Sequence, residues 1–249
     1  MRMTVLGGCG AWPAASQACS GYLLEADGFR LLVDPGYATL PRLLTHIDAP
    51  EVDAVLVSHE HPDHCADLNP LLRARALRDD PAPPLPVYAL PSAVDAVLAL
   101  DHGMLTERRH TYDVHPFGDG DRLAIGPFTI DVRLLPHFVP NAGFRIAAGS
   151  AVLAYTGDCG PDPGVVELAR GAGALLAEAT LGDGVADADN AGQLSSGRDA
   201  AREATEAGAE RLVLTHLWPG DDPNNAVAAA RELYAGPVDV ADPDLVLDV

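Results

Sequence analysis

The sequence predicts an α/β protein in which two packed β-sheets are flanked by helices, an α/β/β/α sandwich. Three observations predict it. Short β-branched or leucine-rich runs of strand length recur, and most end in a Gly, Asp, His or Pro signal. Stretches with helix-start and helix-stop residues lie between some of them. The early half is strand-rich, with its first helix expected after residue 67, whereas the later half alternates strand and helix. The 249 residues read as a single domain, and 48% hydrophobic content supplies an ample core.

In chain order, the expected strands are "MTVLG" (3–7), "GYLLEA" (21–26), "RLLVDPG" (30–36), "AVLVSH" (54–59) and "LPVYAL" (85–90). Later come "FTIDVRLL" (128–135), "AVLAYTGD" (151–158), "ALLAEAT" (174–180) and "RLVLTH" (211–216). Helices are expected over Leu68–Leu77, Ser92–Leu100, Pro163–Arg170, Gly197–Ala207 and Pro223–Tyr234. Pro163 opens one of these and Gly171 follows it, while Gly208 and Gly236 lie past the ends of the last two. "DDPAPPLP" (79–86) and "GDGDRLAIGP" (118–127) read as loops or hairpins rather than domain linkers.

Composition narrows function. Sixteen basic against 36 acidic residues give a formal charge of −20, which repels phosphate backbones and disfavours a large nucleic-acid partner. The four cysteines are scattered without a C-x-x-C pair, so no disulfide framework is expected. "MRMTVLGGCGAWPA" lacks the apolar run of a signal peptide, and no stretch approaches the roughly 18 apolar residues of a membrane span. A cytoplasmic protein with a small-molecule substrate and no membrane association is expected.

The chemistry concentrates in "SHEHPDHCADL" (58–68), where three histidines and two carboxylates fall between His59 and Cys65. His59 and His61 are two apart, so an extended segment points both side chains one way. Pro62 stops the strand, and Asp63 and His64 follow. A strand-to-helix loop of this kind offers ligands to two adjacent centres, and imidazole nitrogen with carboxylate oxygen is what zinc accepts in hydrolytic sites. One cluster cannot complete two coordination shells. Further donors stand after apolar runs: His137 after "FTIDVRLLP", Asp158 after "AVLAYTG" and His216 after "RLVLT".

"SHEHPDH", then "PHFVPNAGFRI", "YTGDCG", "LLAEATL" and "LTHL", resemble in order the metallo-β-lactamase fold, an αβ/βα sandwich of two mixed sheets. The chain is most similar to its ribonuclease Z-like branch, especially small actinobacterial-type cyclic-nucleotide phosphodiesterases. The likeness runs from "VLGGCGAWP" to the last strand, with "SGYLLEADGFRLLVDPG" and "LLAEAT" pointing to the branch. It implies that His59, His61 and His137 bind one metal, that Asp63, His64 and His216 bind another, and that Asp158 bridges them. Two divalent ions follow, zinc by expectation, with manganese and iron also compatible with the donors. His61 favours the hydrolytic form, because related di-iron redox proteins usually carry glutamate there.

The resemblance also implies that Asp34 orients a ligand histidine through its other ring nitrogen. It places the acidic Glu178 near the site as a catalytic residue alongside Asp63, and Ser20, Gly21, Gln193 and Leu194 close to substrate, while Cys65 and Cys159 read as small packing residues. A homodimer is expected because the fold family often dimerises.

Two adjacent metals can hold a bridging hydroxide at neutral pH and offset charge on a phosphodiester under attack, with Asp63 accepting or orienting its proton. The resemblance makes a small cyclic-nucleotide-type diester the expected substrate, although neutral lactones, thioesters or amides could use the same water. One departure matters. The branch usually has a histidine that protonates the leaving group, but an ungapped alignment on "GRDAA" places Leu194 there, beside Gln193. Losing a general acid costs about 10²–10⁴-fold for poor leaving groups. The alternative is thus a specialised hydrolase of a lactone, thioester or amide. Transfer-RNA processing is opposed by the charge and by the lack of a basic RNA-gripping insertion, and a catalytically silent metal protein is a further reading.

Overall fold

The computed structural model describes residues 1–101 and 110–249. Its strands, in chain order, are β1 (Arg2–Gly7), β2 (Gly21–Ala26), β3 (Phe29–Val33), β4 (Ala54–Leu56), β5 (Leu85–Ala89), β6 (Tyr112–Pro116) and β7 (Arg122–Ile125). They continue with β8 (Phe128–Leu135), β9 (Asn141–Ala148), β10 (Ala151–Tyr155), β11 (Ala174–Glu178), β12 (Leu212–Thr215), β13 (Val238–Val240) and β14 (Val246–Asp248). The helices are α1 (Thr39–Leu43), α2 (Pro62–Cys65), α3 (Leu68–Ala76), α4 (Asp95–Leu98), α5 (Pro163–Ala169), α6 (Gly197–Ala207) and α7 (Pro223–Arg231).

Two seven-stranded sheets form, in the orders β14-β1-β2-β3-β4-β5-β6 and β13-β12-β11-β10-β9-β8-β7. In the first, pairing is antiparallel from β14 to β3 and parallel from β3 to β6. In the second it is antiparallel from β7 to β10 and parallel from β10 to β13. The sheets therefore repeat one pairing scheme.

Side-chain alternation decides which face each residue supplies. In β10, Leu153 and Tyr155 join the apolar cluster between the sheets, while Ala154 joins the cluster under the helices. In β11 and β12, Leu176 and Val213 point into the first cluster, and Leu175, Leu212 and Leu214 into the second. All five residues of β11 are buried, as a central parallel strand covered on both faces requires. The outer cluster is alanine-rich: Ala200, Ala201 and Ala204 of α6 meet Ala226 and Ala230 of α7. Ser196 caps α6 by accepting from the Asp199 amide, and Gly208 ends it at φ 65°. No helix among the described residues is long and apolar enough to cross a membrane.

The architecture is the expected sandwich, with local differences. Helix begins before residue 67, because α1 and α2 are single turns too short to show periodicity. The Ser92–Leu100 helix contracts to Asp95–Leu98 and a 3₁₀ turn at Ala99–Asp101, since Ser92 has a φ of 66°. "GDGDRLAIGP" contains β7, half of a hairpin with β8. β6, β9, β13 and β14 lacked a clear apolar run. In β9, Gly143 is small because a Cβ there would meet Leu135 Cδ1 at 2.5 Å.

Glu203 of α6 is buried, and one carboxyl oxygen accepts from the Asp162 amide at 2.9 Å. Burial pushes its pKa up to about 8, with Asp199 and Asp162 adding to the rise. The folded chain thus keeps a proton that the unfolded chain releases near its ordinary carboxylate range. Stability from this group is full below that range and falls as pH rises toward 8. Glu203→Gln should match wild type in denaturant unfolding at pH 4.5 and exceed it at pH 8.5 by on the order of 1–2 kcal/mol. Parallel pH profiles would contradict this.

Candidate metal centre

Most of the site assembles at the carboxyl ends of parallel strands, where crevices form in α/β sheets, and His137 joins it from the end of the antiparallel β8. Past β4 the chain stays extended to His61, at φ −62° and ψ 139°, and Pro62 then opens α2. His59 and His61 therefore leave the extended segment, and Asp63 and His64 leave the helical turn. Gly36 lets the loop after β3 lie directly on this segment: a Cβ there would sit 1.8 Å from the Asp63 carbonyl oxygen. Asp34 and His216, just past β3 and β12, hold φ of 50° and 55°. Left-handed backbone at a non-glycine residue costs about 1–2 kcal/mol, and here it turns two polar side chains toward the centre.

The fold brings together all seven residues expected as ligands. One donor atom each from His59, His61, His137 and Asp158 lies within 4.8 Å of the others, and the same holds for Asp63, His64, Asp158 and His216. In the first group, His61 Nδ1 is 3.1 Å from His59 Nε2 and 3.2 Å from His137 Nε2. In the second, His216 Nε2 is 3.0 Å from both Asp63 Oδ2 and Asp158 Oδ2. His64 Nε2 is 3.2 Å from Asp158 Oδ1. Asp158 belongs to both groups.

Outer hydrogen bonds fix which nitrogen faces inward. Ser58 Oγ donates to Asp34 Oδ2 at 2.6 Å, so it accepts from His59 Nδ1 at 3.0 Å. His64 Nδ1 donates to Asp34 Oδ2 at 2.8 Å, the contact expected of Asp34. His137 Nδ1 donates to the Gln193 carbonyl at 3.1 Å. Thr180 Oγ1 donates to the His216 carbonyl at 3.0 Å, so it accepts from His216 Nδ1 at 2.8 Å. Each bond leaves Nε2 facing the centre, which is how metal-binding histidines are held.

The residues present fit a metal. His64 Nε2 and Asp158 Oδ1 are buried and have no hydrogen-bond partner, an arrangement costly for polar atoms unless something else satisfies them. Burial, with His64 beside it, holds His59 well below the usual imidazole range, and burial also lowers His137. Both are therefore neutral, the form that coordinates. Burial opposes charge on Asp158, but His216 and His64 keep it ionised. The inward nitrogen of His61 lies 3.1 and 3.2 Å from those of His59 and His137, close to the roughly 3.3 Å edge of a tetrahedral zinc site.

A cleft of about 420 Å³ opens over these groups, within the size range of small-molecule pockets. Leu194 lines it beside Thr180 and Asn190. Gln193 contributes its carbonyl to His137, which Gly160 permits, since a Cβ there would meet the Gly192 carbonyl carbon at 2.2 Å. Glu178 is buried beneath: its carboxylate accepts from the Cys159 and Ser195 amides, and burial with Asp158 nearby pushes its pKa up to about 8. It braces two loops and does not line the cleft. Ser20 and Gly21, expected beside substrate, are buried at the start of β2 against the Asp34–Thr39 turn and do not line it either.

Sequence reading missed Ser58, Thr180 and Ala11, whose amide donates to Asp63 Oδ2 at 2.7 Å. Ser58 adjoins the first ligand and Thr180 ends "EAT", so both lay inside motifs already singled out. Ala11 carries no signal, because only its backbone acts.

Because Asp158 alone joins both groups, Asp158→Ala should weaken every metal bound, by at least about tenfold in affinity. His137→Ala should affect only the group it belongs to. Elemental analysis and chelator competition on zinc-loaded variants distinguish the two patterns. Equal metal retention by Asp158→Ala and wild type would remove Asp158 from the centre.

The profile of the "Beta-lactamase superfamily domain" family matches residues 29–217. Among curated proteins, the probable metallo-hydrolase YhfI of Bacillus subtilis is 34% identical over 246 residues, covering 97% of each chain. A ribonuclease Z of Mycolicibacterium paratuberculosis is 32% identical over 270 residues, covering 97% of this chain and 96% of that one. The crystal structure of the Bacillus subtilis metallo-beta-lactamase fold protein YhfI superposes with a TM-score of 0.88 at 32% identity, covering 99% of this chain and 98% of that one. With two histidine–aspartate donor groups at the seam of such a sandwich, the chain belongs to the β-lactamase superfamily as a metal-dependent hydrolase of the metallo-β-lactamase fold.

Proposed function

We propose that this hydrolase binds two divalent ions, zinc by the character of its donors, and cleaves a small, singly charged phosphodiester of the cyclic-nucleotide type. One observation carries the reading: among the described residues no arginine lines the cleft above the donors, and the sequence contains no lysine. A diester's single charge needs no more than the ions, whereas a polyphosphate or RNA backbone needs cationic side chains as well. Relatives named ribonuclease Z support phosphodiester chemistry in the family, at up to 32% identity.

Ions in these donor sets would supply a water that ionises near neutral pH and positive charge for the attacked group. The chain's own residues do the rest. Asp63, held by the Ala11 amide and lining the cleft, is placed to orient or accept a proton. The Gln193 carbonyl and Thr180 hydroxyl keep His137 and His216 from rotating. Asn141 steadies the Asp158 loop, its Oδ1 accepting from the Asp158 amide and its Nδ2 donating to the Thr156 carbonyl.

Leu194 favours a second reading. It lines the cleft at the position that the alignment on "GRDAA" equates with the branch's proton donor, so a substrate whose leaving group departs unaided suits the site. Thioesters and activated lactones meet that condition, as do aryl phosphodiesters.

A hydrolysis panel on metal-loaded protein separates these readings: cyclic nucleotides, bis(p-nitrophenyl) phosphate, lactones and thioesters. Diester turnover with aryl leaving groups well ahead of ribose-type ones is expected, and turnover of carbonyl substrates alone would overturn the proposal. Leu194→His should selectively speed the poor-leaving-group diesters. The gain should be about tenfold rather than the full 10²–10⁴-fold of a placed general acid. The reason is that Glu178 is committed to the Cys159 and Ser195 amides and cannot orient the new imidazole. Precursor transfer RNA at physiological salt should remain uncut.

A further inference from the structure

The chain has only two tryptophans, and both stand beside the metal centre. Trp218 lies two residues past His216 and lines the cleft, while Trp12 follows Ala11, whose amide holds Asp63. Their rings meet edge to face, with centroids 4.9 Å apart and planes at 83°. Phe138 follows His137 and lines the same cleft. These are large apolar groups left in water: Trp12 is 47% exposed, Trp218 41% and Phe138 53%. By contrast Tyr22, Tyr155, Phe128 and Phe144 are fully buried in the core.

Their supports are rigid. The Gly10 amide donates to the Leu217 carbonyl at 2.9 Å, and the Leu217 amide donates to the Gly8 carbonyl at 3.1 Å. The two tryptophan-bearing segments are thereby tied together backbone to backbone. An exposed apolar patch at the mouth of a pocket marks a binding surface more often than chance exposure. Among the described residues no arginine lines the cleft, and beyond the donors its walls include Trp218, Phe138, Leu194, Thr180 and Asn190, so apolar contact and stacking are the main contacts on offer to the part of a substrate away from the reacting group.

We infer that Trp218, Phe138 and Trp12 form a ring-binding rim, on which a planar heteroaromatic ring of the substrate lies while its ester group reaches the donors below. Trp218 and Phe138 supply the contact surface, and Trp12 holds Trp218 in place. The inference rests on the phosphodiester reading for the identity of the ester, and it selects diesters bearing a nucleobase over aliphatic ones. Stacking on an aromatic side chain tolerates any base because each has a π-face, so the rim discriminates ring from no ring rather than one base from another.

The test is binding, read apart from turnover. Adenosine 5′-monophosphate and ribose 5-phosphate carry the same phosphate and sugar and differ in the base. On zinc-loaded protein, titration calorimetry should give about tenfold or greater tighter binding of the nucleotide. The nucleotide alone should quench tryptophan fluorescence, since every tryptophan sits at the rim. Trp218→Ala and Phe138→Ala should each reduce the affinity ratio severalfold while leaving ribose 5-phosphate affinity and bound zinc unchanged. Trp218→Tyr should keep most of the ratio. Equal affinities in wild type, absence of binding by both probes, or a ratio that survives both alanine substitutions would overturn the rim. Failure of the phosphodiester reading would show instead in the hydrolysis panel, whatever the binding ratio.

Discussion

The carboxylate of Asp34 holds the assembly in register. It is fully buried, and it accepts from the Ser58 amide, the Ser58 hydroxyl, His64 Nδ1 and the Tyr155 hydroxyl at 2.6–2.8 Å. Three of those donors belong to the histidine segment after β4, and the fourth belongs to β10 of the other sheet. A buried carboxylate with this many donors is far cheaper to keep than one left short, so the network specifies a single arrangement. Tyr155 packs edge to face on Tyr22, whose hydroxyl lies 2.6 Å from Thr215 Oγ1, one residue before His216. Through these contacts the position of one donor constrains the others across both sheets.

The same crowding explains why the donors are buried at all. Exposed imidazoles and carboxylates would bind a cation weakly and compete with water, whereas buried ones are held ready at the cost of unpaired atoms such as His64 Nε2. Burial holds His59 and His137 in the neutral form, and the cluster's own histidines keep Asp158 charged. The cleft above is different in character. It combines apolar walls with a floor of donors, and it lies in a protein of formal charge −20.

Much of this was legible in the sequence. The sandwich could be read from strand-length runs that end in signal residues. The spacing in "HEHPDH" carried the turn at Pro62 and the two-sided presentation of donors. His137, Asp158 and His216 were found because each follows an apolar run. What stayed hidden was whatever the backbone does. The Ala11 amide on Asp63 and the Gln193 carbonyl on His137 leave no mark on residue identity. Short helices such as α1 and α2 hold too few residues for a period, and β13 and β14 are three-residue strands paired across long sequence separations. The family likeness of Glu178 suggested proximity to the site but not orientation, and its carboxylate proves to face two amides. Ser20 and Gly21 pack, buried, against the turn from Asp34 to Thr39 and are absent from the cleft lining, a distinction that only packing reveals.

The repeated pairing scheme of the two sheets has a consequence for how the fold is held. His59, His61, Asp63 and His64 come from the first sheet's strand ends, and His137, Asp158 and His216 from the second's. Neither half owns a complete donor group, because each draws members from both. A cation held there would link the halves as well as supply chemistry, and it would bind the assembled chain in preference to the unfolded one. Mass action then adds about 2.7 kcal/mol to the folded state at a free-metal concentration one hundred times the dissociation constant. Metal availability would thereby be a thermodynamic control on the persistence of the fold, so that loss of the ion would weaken the protein along with its chemistry.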